Sequence, residues 1–537
     1  MRTGLLATLA LLVPALALAA ADSASSDKPS EPGKSGAKPE NFKPEETRSH
    51  GSVTTGGRKI DYEAVAGTLV VHPRNWDDVA LNANPDEKTP EAQASMFYVA
   101  YFRNEAQGSA RPITFLFNGG PGSASVWLHM GSFGPRRIVV SDSTYTPAAP
   151  YTIANNEYSL LDVSDVVFID APGAGFSRVA GEDHDKAFYG VDEDAYAFSD
   201  FIVQFLTKFG RWNSPKYLLG ESYGTTRAAV LINLLETERS VRFNGVIMLS
   251  QILMFDGSGD GPQHNPGVEL PYILTLPTYA ATGWYHHRLP DAPADLPKFL
   301  DEVEQFALHD YALALLARAT LPAEQKTAIA NRLHQYTGLP VDYLLKADLR
   351  VNVGQFQQEL QANTDTATGR IDTRFSGPTM NPLAEQAGFD PLFAAIGSAY
   401  VSAFNDYARK ELKLTTDRQF RLFADVEGKW NMSHKQPHAH EIDKEYGTNV
   451  MPDLANAMKY NPRLQVMLNA GYYDLATPFF EGVYEMQHLQ IPAKLQANIQ
   501  YQFYDSGHMV YAHEPSLKVF HDSVAAFIRR TATPSGS

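Results

Sequence analysis

Apolar positions along this chain follow a rhythm that changes twice. From Ile113 onward, short and almost wholly apolar runs recur at helix-length intervals: Ile113-Thr-Phe-Leu-Phe117, Asp165-Val-Val-Phe-Ile169, Lys216-Tyr-Leu-Leu219 and Gly245-Val-Ile-Met-Leu249. Such runs lack the polar alternation of a half-exposed strand, so they predict buried parallel strands joined by crossover helices. Upstream, residues 59–71 and 95–103 are rich in Val, Ile, Tyr and Phe and read as antiparallel strands entering the sheet. Between about 255 and 461 the rhythm stops, and helix-like patches at 300–319 and 323–336 take over. It resumes with two apolar runs, 464–468 and 498–503, and a closing amphipathic helix at 516–529. The expectation is an α/β chain with a mostly parallel central sheet flanked by helices, split by a large, mainly helical lid insertion.

The first residues have another pattern. Arg2 precedes an apolar run from Gly4 to Ala21, interrupted by Pro14 and ending in Ala17, Ala19 and Ala21, which fits a cleaved secretory signal. Residues 22–50 are rich in Ser, Pro, Lys and Glu and predict a disordered polar linker. The expected division is a signal at 1–21, the linker at 22–50, a first core part at 51–255, the lid at 256–462 and a second core part at 463–537. Hydrophobic residues make up 44% of the 537, enough for a sizeable core. The 45 Lys and Arg against 61 Asp and Glu leave a net charge of −16, which disfavours nucleic acid and a stable stay on anionic membranes once a signal is removed. The chain has no cysteine, which excludes disulfides, thiolate metal sites and a thiol nucleophile. An exported chain without cysteine points to a bacterial periplasmic or extracellular setting.

Chemistry is therefore left to hydroxyls, imidazoles and carboxylates. Gly220-Glu221-Ser222-Tyr223-Gly224 follows one apolar run directly and opens a helix-forming stretch at 225–236. A tight strand-to-helix turn holds its serine in strained geometry, and the flanking glycines remove Cβ atoms that would clash. Ser222 is thus the candidate nucleophile. A serine needs a base and a carboxylate to orient that base. In a strand–turn–helix nucleophile architecture these follow in the order Ser, Asp, His, each on a loop after a strand. Asp474, after 464–468, and His508, after 498–503, meet that order; Asp505, on the loop of His508 itself, is the rival carboxylate. The backbone N–H of Tyr223 is one oxyanion donor, at a helix start that favours negative charge. The loop Asn118-Gly-Gly-Pro-Gly-Ser123, after an earlier strand, is placed to supply the second.

Taken together, Asn118-Gly-Gly-Pro-Gly-Ser123, Asp170-Ala-Pro-Gly-Ala-Gly-Phe-Ser177, Gly220-Glu-Ser-Tyr-Gly224, the Asp474 loop and Gly507-His-Met-Val510 resemble the serine carboxypeptidases, which have an α/β-hydrolase fold. The five blocks fall in order over about 110–255 and 463–530. The resemblance implies removal of the C-terminal residue of a peptide through an acyl-enzyme on Ser222. It also implies that Asn118, Gly119 and Glu221 bind the substrate's terminal carboxylate, and that Gly120 joins Tyr223 in the oxyanion hole. A buried glutamate facing a carboxylate must be protonated to donate a hydrogen bond, which implies activity favoured at acidic pH. Two features depart from the family. Many members carry a second glutamate just before the next Gly-Pro, where this chain has Ser132-Phe-Gly-Pro135; Arg136 or Arg137 is the alternative cation for the carboxylate. The cysteine frequent after Asn-Gly-Gly-Pro-Gly is Ser123 here, consistent with a disulfide-free bacterial branch.

Other patterns are set aside. Asp256-Gly-Ser-Gly-Asp-Gly261 imitates a calcium loop but has Gly267 where the bidentate glutamate belongs. His434, His438 and His440 have metal-like spacing but no accompanying ligand pattern, and read as a solvated lid loop. No metal and no cofactor is expected. The partners expected are peptides with a free C terminus. An acyltransferase or esterase using the same three residues, or a binding protein on an inactive scaffold, remain the alternative readings, and oligomeric state is open.

Overall fold

The computed structural model describes residues 42–74, 76, 92–104, 110–441 and 447–532. The signal at 1–21 and most of the linker lie outside them. The strands are β1 (Glu46–Thr55), β2 (Arg58–Val71), β3 (Gln93–Arg103), β4 (Ile113–Phe117), β5 (Arg136–Ile138), β6 (Ile153–Asn155), β7 (Asp165–Ile169), β8 (Arg178–Ala180), β9 (Lys216–Glu221), β10 (Gly245–Leu249), β11 (Thr366–Thr368), β12 (Ser376–Pro378), β13 (Gln465–Gly471) and β14 (Ile499–Tyr504). One ten-stranded sheet runs β1-β2-β3-β7-β4-β9-β10-β13-β14, with β8 beside β3. From β7 to β14 every pairing is parallel, and β1, β2, β3 and β7 pair antiparallel.

The apolar runs are strands for the reason their composition implies. Every residue of β4, β7, β9 and β10 is buried, so neither face tolerates polar alternation. Helices Val191–Lys208 and Met451–Tyr460 both pack on helix Tyr223–Thr237, and helix Glu514–Ala532 covers β10, β13 and β14.

The ordered chain starts earlier than expected. β1 pairs with β2 over its full length from Glu46, inside the segment read as a linker. It is an edge strand whose outer positions alternate between exposed and half-buried, so its sequence, Glu-Thr-Arg-Ser-His-Gly-Ser, carries no apolar signal.

The insertion also divides. β10 and β13 are neighbours, Gly245 opposite Gln465 through Leu249 opposite Asn469, and the chain between them leaves the sheet and returns to it. Its first half is a helical cap with its own core, including Leu274, Val303, Leu315 and Phe356, closed by Leu475 and Phe479 from the chain after β13. From Ile371 onward the insertion joins the main core, through Leu392, Tyr400, Phe404 and Leu454. The single lid expected at 256–462 is therefore a cap plus a return path, and helix Met451–Tyr460 is a crossover helix of the sheet. Within the return path, Asp390 caps helix Pro391–Lys410 by accepting from the N–H groups of Leu392 and Phe393. Its other oxygen accepts from the N–H groups of Arg370 and Ile371, which fixes the strap that precedes the helix.

Candidate active site

The loops after β4, β9, β10, β13 and β14 leave the sheet at one edge, because these strands are parallel neighbours. Adjacent strands lie about 4.8 Å apart, so the turn after β9 and the loop after β13 are separated by roughly 10 Å, within reach of side chains.

Ser222 stands between β9 and helix Tyr223–Thr237 at φ 62° and ψ −132°. This is a left-handed backbone for a residue with a Cβ, sustained by the packing around it. Gly220 makes the turn possible, since a Cβ there would fall 2.1 Å from the carbonyl oxygen of Gly224. The Ser222 hydroxyl caps no main-chain group of the helix it opens. Ser222 is half-buried while Glu221 and Tyr223 on either side are buried.

The candidate base and its candidate carboxylate are in contact. His508 Nδ1 lies 2.8 Å from Asp474 Oδ2, and Asp474 is fully buried. Asp505, the rival, is exposed on the same loop as His508. Asp474 Oδ1 accepts from the N–H groups of Ala476 and Thr477, and Oδ2 accepts from the Thr477 hydroxyl at 2.7 Å. These donors fix the carboxylate, so His508 donates through Nδ1 and its Nε2 carries the lone pair. Burial works against the charged ring, but Asp474 and then Glu221 outweigh it and hold the His508 imidazole above its ordinary value. Thr477, absent from the sequence reading, was signalled by its place three residues after Asp474, where a hydroxyl can return to the carboxylate.

What ties the nucleophile to the base is the end of β10. The Ser222 N–H donates to the carbonyl of Leu249 at 3.0 Å. The next residue, Ser250, donates its hydroxyl to the carbonyl of His508 at 2.7 Å. The two catalytic candidates are thus docked on consecutive residues of one strand end.

The Asn118–Gly120 segment abuts the turn. A Cβ on Gly119 would fall 2.4 Å from the Tyr223 nitrogen, 2.6 Å from that of Gly224 and 2.7 Å from the Glu221 carbonyl. Gly120 is exposed beside it, at φ 109°, a value glycine adopts freely. Asn118 is buried; its Oδ1 accepts from the Leu128 N–H, and its amide faces Glu221 and Tyr511. The Asn118 carbonyl accepts from Arg227 Nη1 at 2.8 Å. Arg227 is fully buried, pairs with the equally buried Asp194 at 2.6 Å, and lies over the Phe198 ring. Nothing in the sequence marks this pair, since it joins two helices through side chains alone. Glu221 is buried and accepts from the Tyr511 hydroxyl at 2.8 Å. Burial raises its carboxyl to about 7, against the lowering effect of His508, Tyr511 and Asn118.

A strap from the insertion braces both loops. The Ile371 carbonyl accepts from the His508 N–H at 2.7 Å, the Arg370 carbonyl accepts from the Leu475 N–H at 3.0 Å, and the Thr373 N–H donates to the Tyr473 carbonyl at 2.9 Å. Arg374 pairs with the buried Asp372 at 2.6 Å, and a Cβ on Gly507 would strike Asp372. The strap has no periodicity, so sequence reading passed over it.

Three side readings resolve through ion pairs. Arg136 pairs with Glu411 and Arg137 with Glu514, so each guanidinium group already has a carboxylate partner. Asp260, from the calcium-like stretch, pairs with Arg370. His434 is not solvated: it is 5% exposed, held between Asp192 and Asp453, because its loop folds back onto helices Val191–Lys208 and Met451–Tyr460.

Residues 87–286 match the family model described as serine carboxypeptidase. Over these residues the chain is similar to the serine carboxypeptidase family. Among its relatives is a pheromone-processing carboxypeptidase KEX1 of Metarhizium robertsii, 28% identical over 172 residues, which are 32% of this chain and 26% of that protein. Another is a carboxypeptidase Y homolog of Arthroderma benhamiae, 30% identical over 158 residues, covering 29% of each. The match thus spans less than a third of either relative's length. Among solved structures, a peroxisomal α/β-hydrolase of Saccharomyces cerevisiae aligns over 89% of this chain and 91% of its own at 10% identity and a TM-score of 0.35. The matched segment holds the Asn118 loop and Ser222, while Asp474 and His508 lie beyond it. No described helix is long and apolar enough to cross a membrane.

Proposed function

We propose that the chain is an exported serine carboxypeptidase that removes C-terminal residues from peptides, favoured at acidic pH. The observation that carries this reading is the joint docking of Ser222 and His508 on Leu249 and Ser250, with Asp474 behind the imidazole and the Asn118–Gly120 loop against the serine turn.

In this mechanism Ser222 Oγ attacks the carbonyl carbon of the last peptide bond while His508 Nε2 takes its proton. Asp474 retains the Nδ1 hydrogen bond and stabilises the imidazolium. The oxyanion forms against the N–H groups of Tyr223 and Gly120; losing one such donor typically costs about 2.7–4 kcal/mol. The imidazolium then protonates the leaving amino group, the C-terminal residue departs, and water cleaves the acyl-enzyme by the reverse proton path. Asn118, Gly119 and Glu221 hold the substrate's terminal carboxylate, for which Glu221 must carry a proton. Activity therefore falls as pH rises through about 7, where that carboxyl ionises.

Mass spectrometry of peptide digests tests the proposal. Stepwise loss of C-terminal residues, abolished by Ser222→Ala, is the expected result. Cleavage of simple acyl esters without any release from peptides would refute it.

A further inference from the structure

Where the resemblance puts a second glutamate the chain has Ser132, and the structure places phenols in that region. Ser132 is fully buried with its hydroxyl turned to the Leu128 carbonyl at 2.6 Å, away from any carboxylate role. Beside it, Gly131 admits two aromatic side chains: a Cβ there would fall 2.5 Å from the Tyr400 hydroxyl and 2.6 Å from the Tyr511 ring. Tyr400 comes from helix Pro391–Lys410 and Tyr511 from the 3-10 turn Val510–Ala512, three residues after His508. Only Tyr511 reaches Glu221, at 2.8 Å, and both residues are buried.

We propose that Tyr511 is a positioning residue for C-terminal carboxylate recognition, its hydroxyl holding Glu221 in place of a second carboxyl group. The inference rests on the carboxypeptidase reading. Because a phenol gives up its proton only far above neutral pH, Tyr511 is the donor and Glu221 the acceptor. Two carboxyls in contact would share a proton and titrate as a pair; one carboxyl held by a phenol takes up a single proton. With a peptide carboxylate bound, the protonated Glu221 keeps its proton and donates a hydrogen bond to the substrate, while Tyr511 keeps its own proton and continues to donate to Glu221; above about pH 7 this state first requires Glu221 to take up one proton from solvent. The groups facing Glu221 are Tyr511, Asn118, His508, Asp474 and, through its charge effect, Tyr400. A hydrogen bond donated to the ionised form favours that form, so Tyr511 holds the Glu221 transition lower than burial alone would set it.

Tyr511→Phe removes the hydroxyl and keeps the ring. In the full chain, kcat/KM is measured from pH 4 to 9 on a blocked dipeptide with a free carboxylate and on its C-terminal amide. The expected result is that the alkaline limb for the free acid moves up by about one pH unit, the scale of one hydrogen bond to a charged group, and that the amide profile stays in place. A limb that does not move, or an equal movement for both substrates, overturns the proposal. A second readout does not require turnover: infrared titration of the Glu221 carboxyl band, assigned by its loss in Glu221→Gln. An upward shift of that band's midpoint in Tyr511→Phe supports the pairing, and an unchanged midpoint overturns it. If the parent enzyme releases no C-terminal residue, the carboxypeptidase reading fails while the infrared result still decides how Tyr511 acts on Glu221.

Discussion

The clamp around His434 gives the sharpest stability prediction. Its Nδ1 lies 2.5 Å from Asp192 and its Nε2 2.7 Å from Asp453. Both ring nitrogens face carboxylates, and only the imidazolium has two N–H donors. Burial disfavours the charge, but the two aspartates overcome it and lift the ring from 6.5 to about 9. A group whose folded value is raised contributes stability fully below its unfolded value and loses it as pH climbs through the folded one. The window is therefore pH 6.5 to about 9, and at about 1.4 kcal/mol per unit the whole contribution is about 3 kcal/mol. The perturbation is His434→Gln, which keeps a polar side chain without the charge. Urea unfolding of both proteins at pH 6, 8 and 10 gives the stability difference at each pH and cancels titrations common to the two. That difference is expected to be about 3 kcal/mol at pH 6 and close to zero at pH 10. An equal difference at pH 6 and pH 10 would show that the ring is neutral in the folded protein and refute the reasoning.

Two further predictions concern the loop beside the nucleophile. Asp194→Asn leaves the Arg227 charge buried without its partner and is expected to cost about 3–5 kcal/mol in urea unfolding; replacing both residues with leucine should cost less than the single change, and a single-change cost below about 1 kcal/mol would contradict the pair's burial. Gly119→Ala drives a methyl into backbone atoms of the serine turn, where no rotamer relieves it. Fluorophosphonate labelling of Ser222 should slow on the order of a hundredfold, and labelling at the parent rate would mean that the loop does not abut the turn.

How far the sequence could be read follows from where each signal is stored. β4, β7 and β10 appear at the bounds their apolar runs give, because burial on both faces writes itself into consecutive residues. That Ser222, Asp474 and His508 sit on the turns and loops after β9, β13 and β14 was legible because a parallel sheet fixes where the loops after its strands emerge. β1 was missed since an edge strand needs only backbone pairing. The strap at 369–375, the Asp194–Arg227 pair, the Tyr511–Glu221 contact and the buried His434 share a different cause: each exists through contacts between distant segments, and a charged or aromatic residue looks the same in sequence whether its partner is water or a buried side chain.

The strap also constrains how this architecture can be altered. Because Arg370 and Ile371 accept hydrogen bonds from the Asp474 loop and the His508 loop at once, part of the alignment of these two loops is built from chain that a sequence alignment would assign to a dispensable accessory. A chimaera exchanging only the helices between Leu270 and Glu359 would leave that alignment intact and could retune selectivity. A graft whose junction fell inside 369–375 would uncouple the two loops even with every reacting group retained.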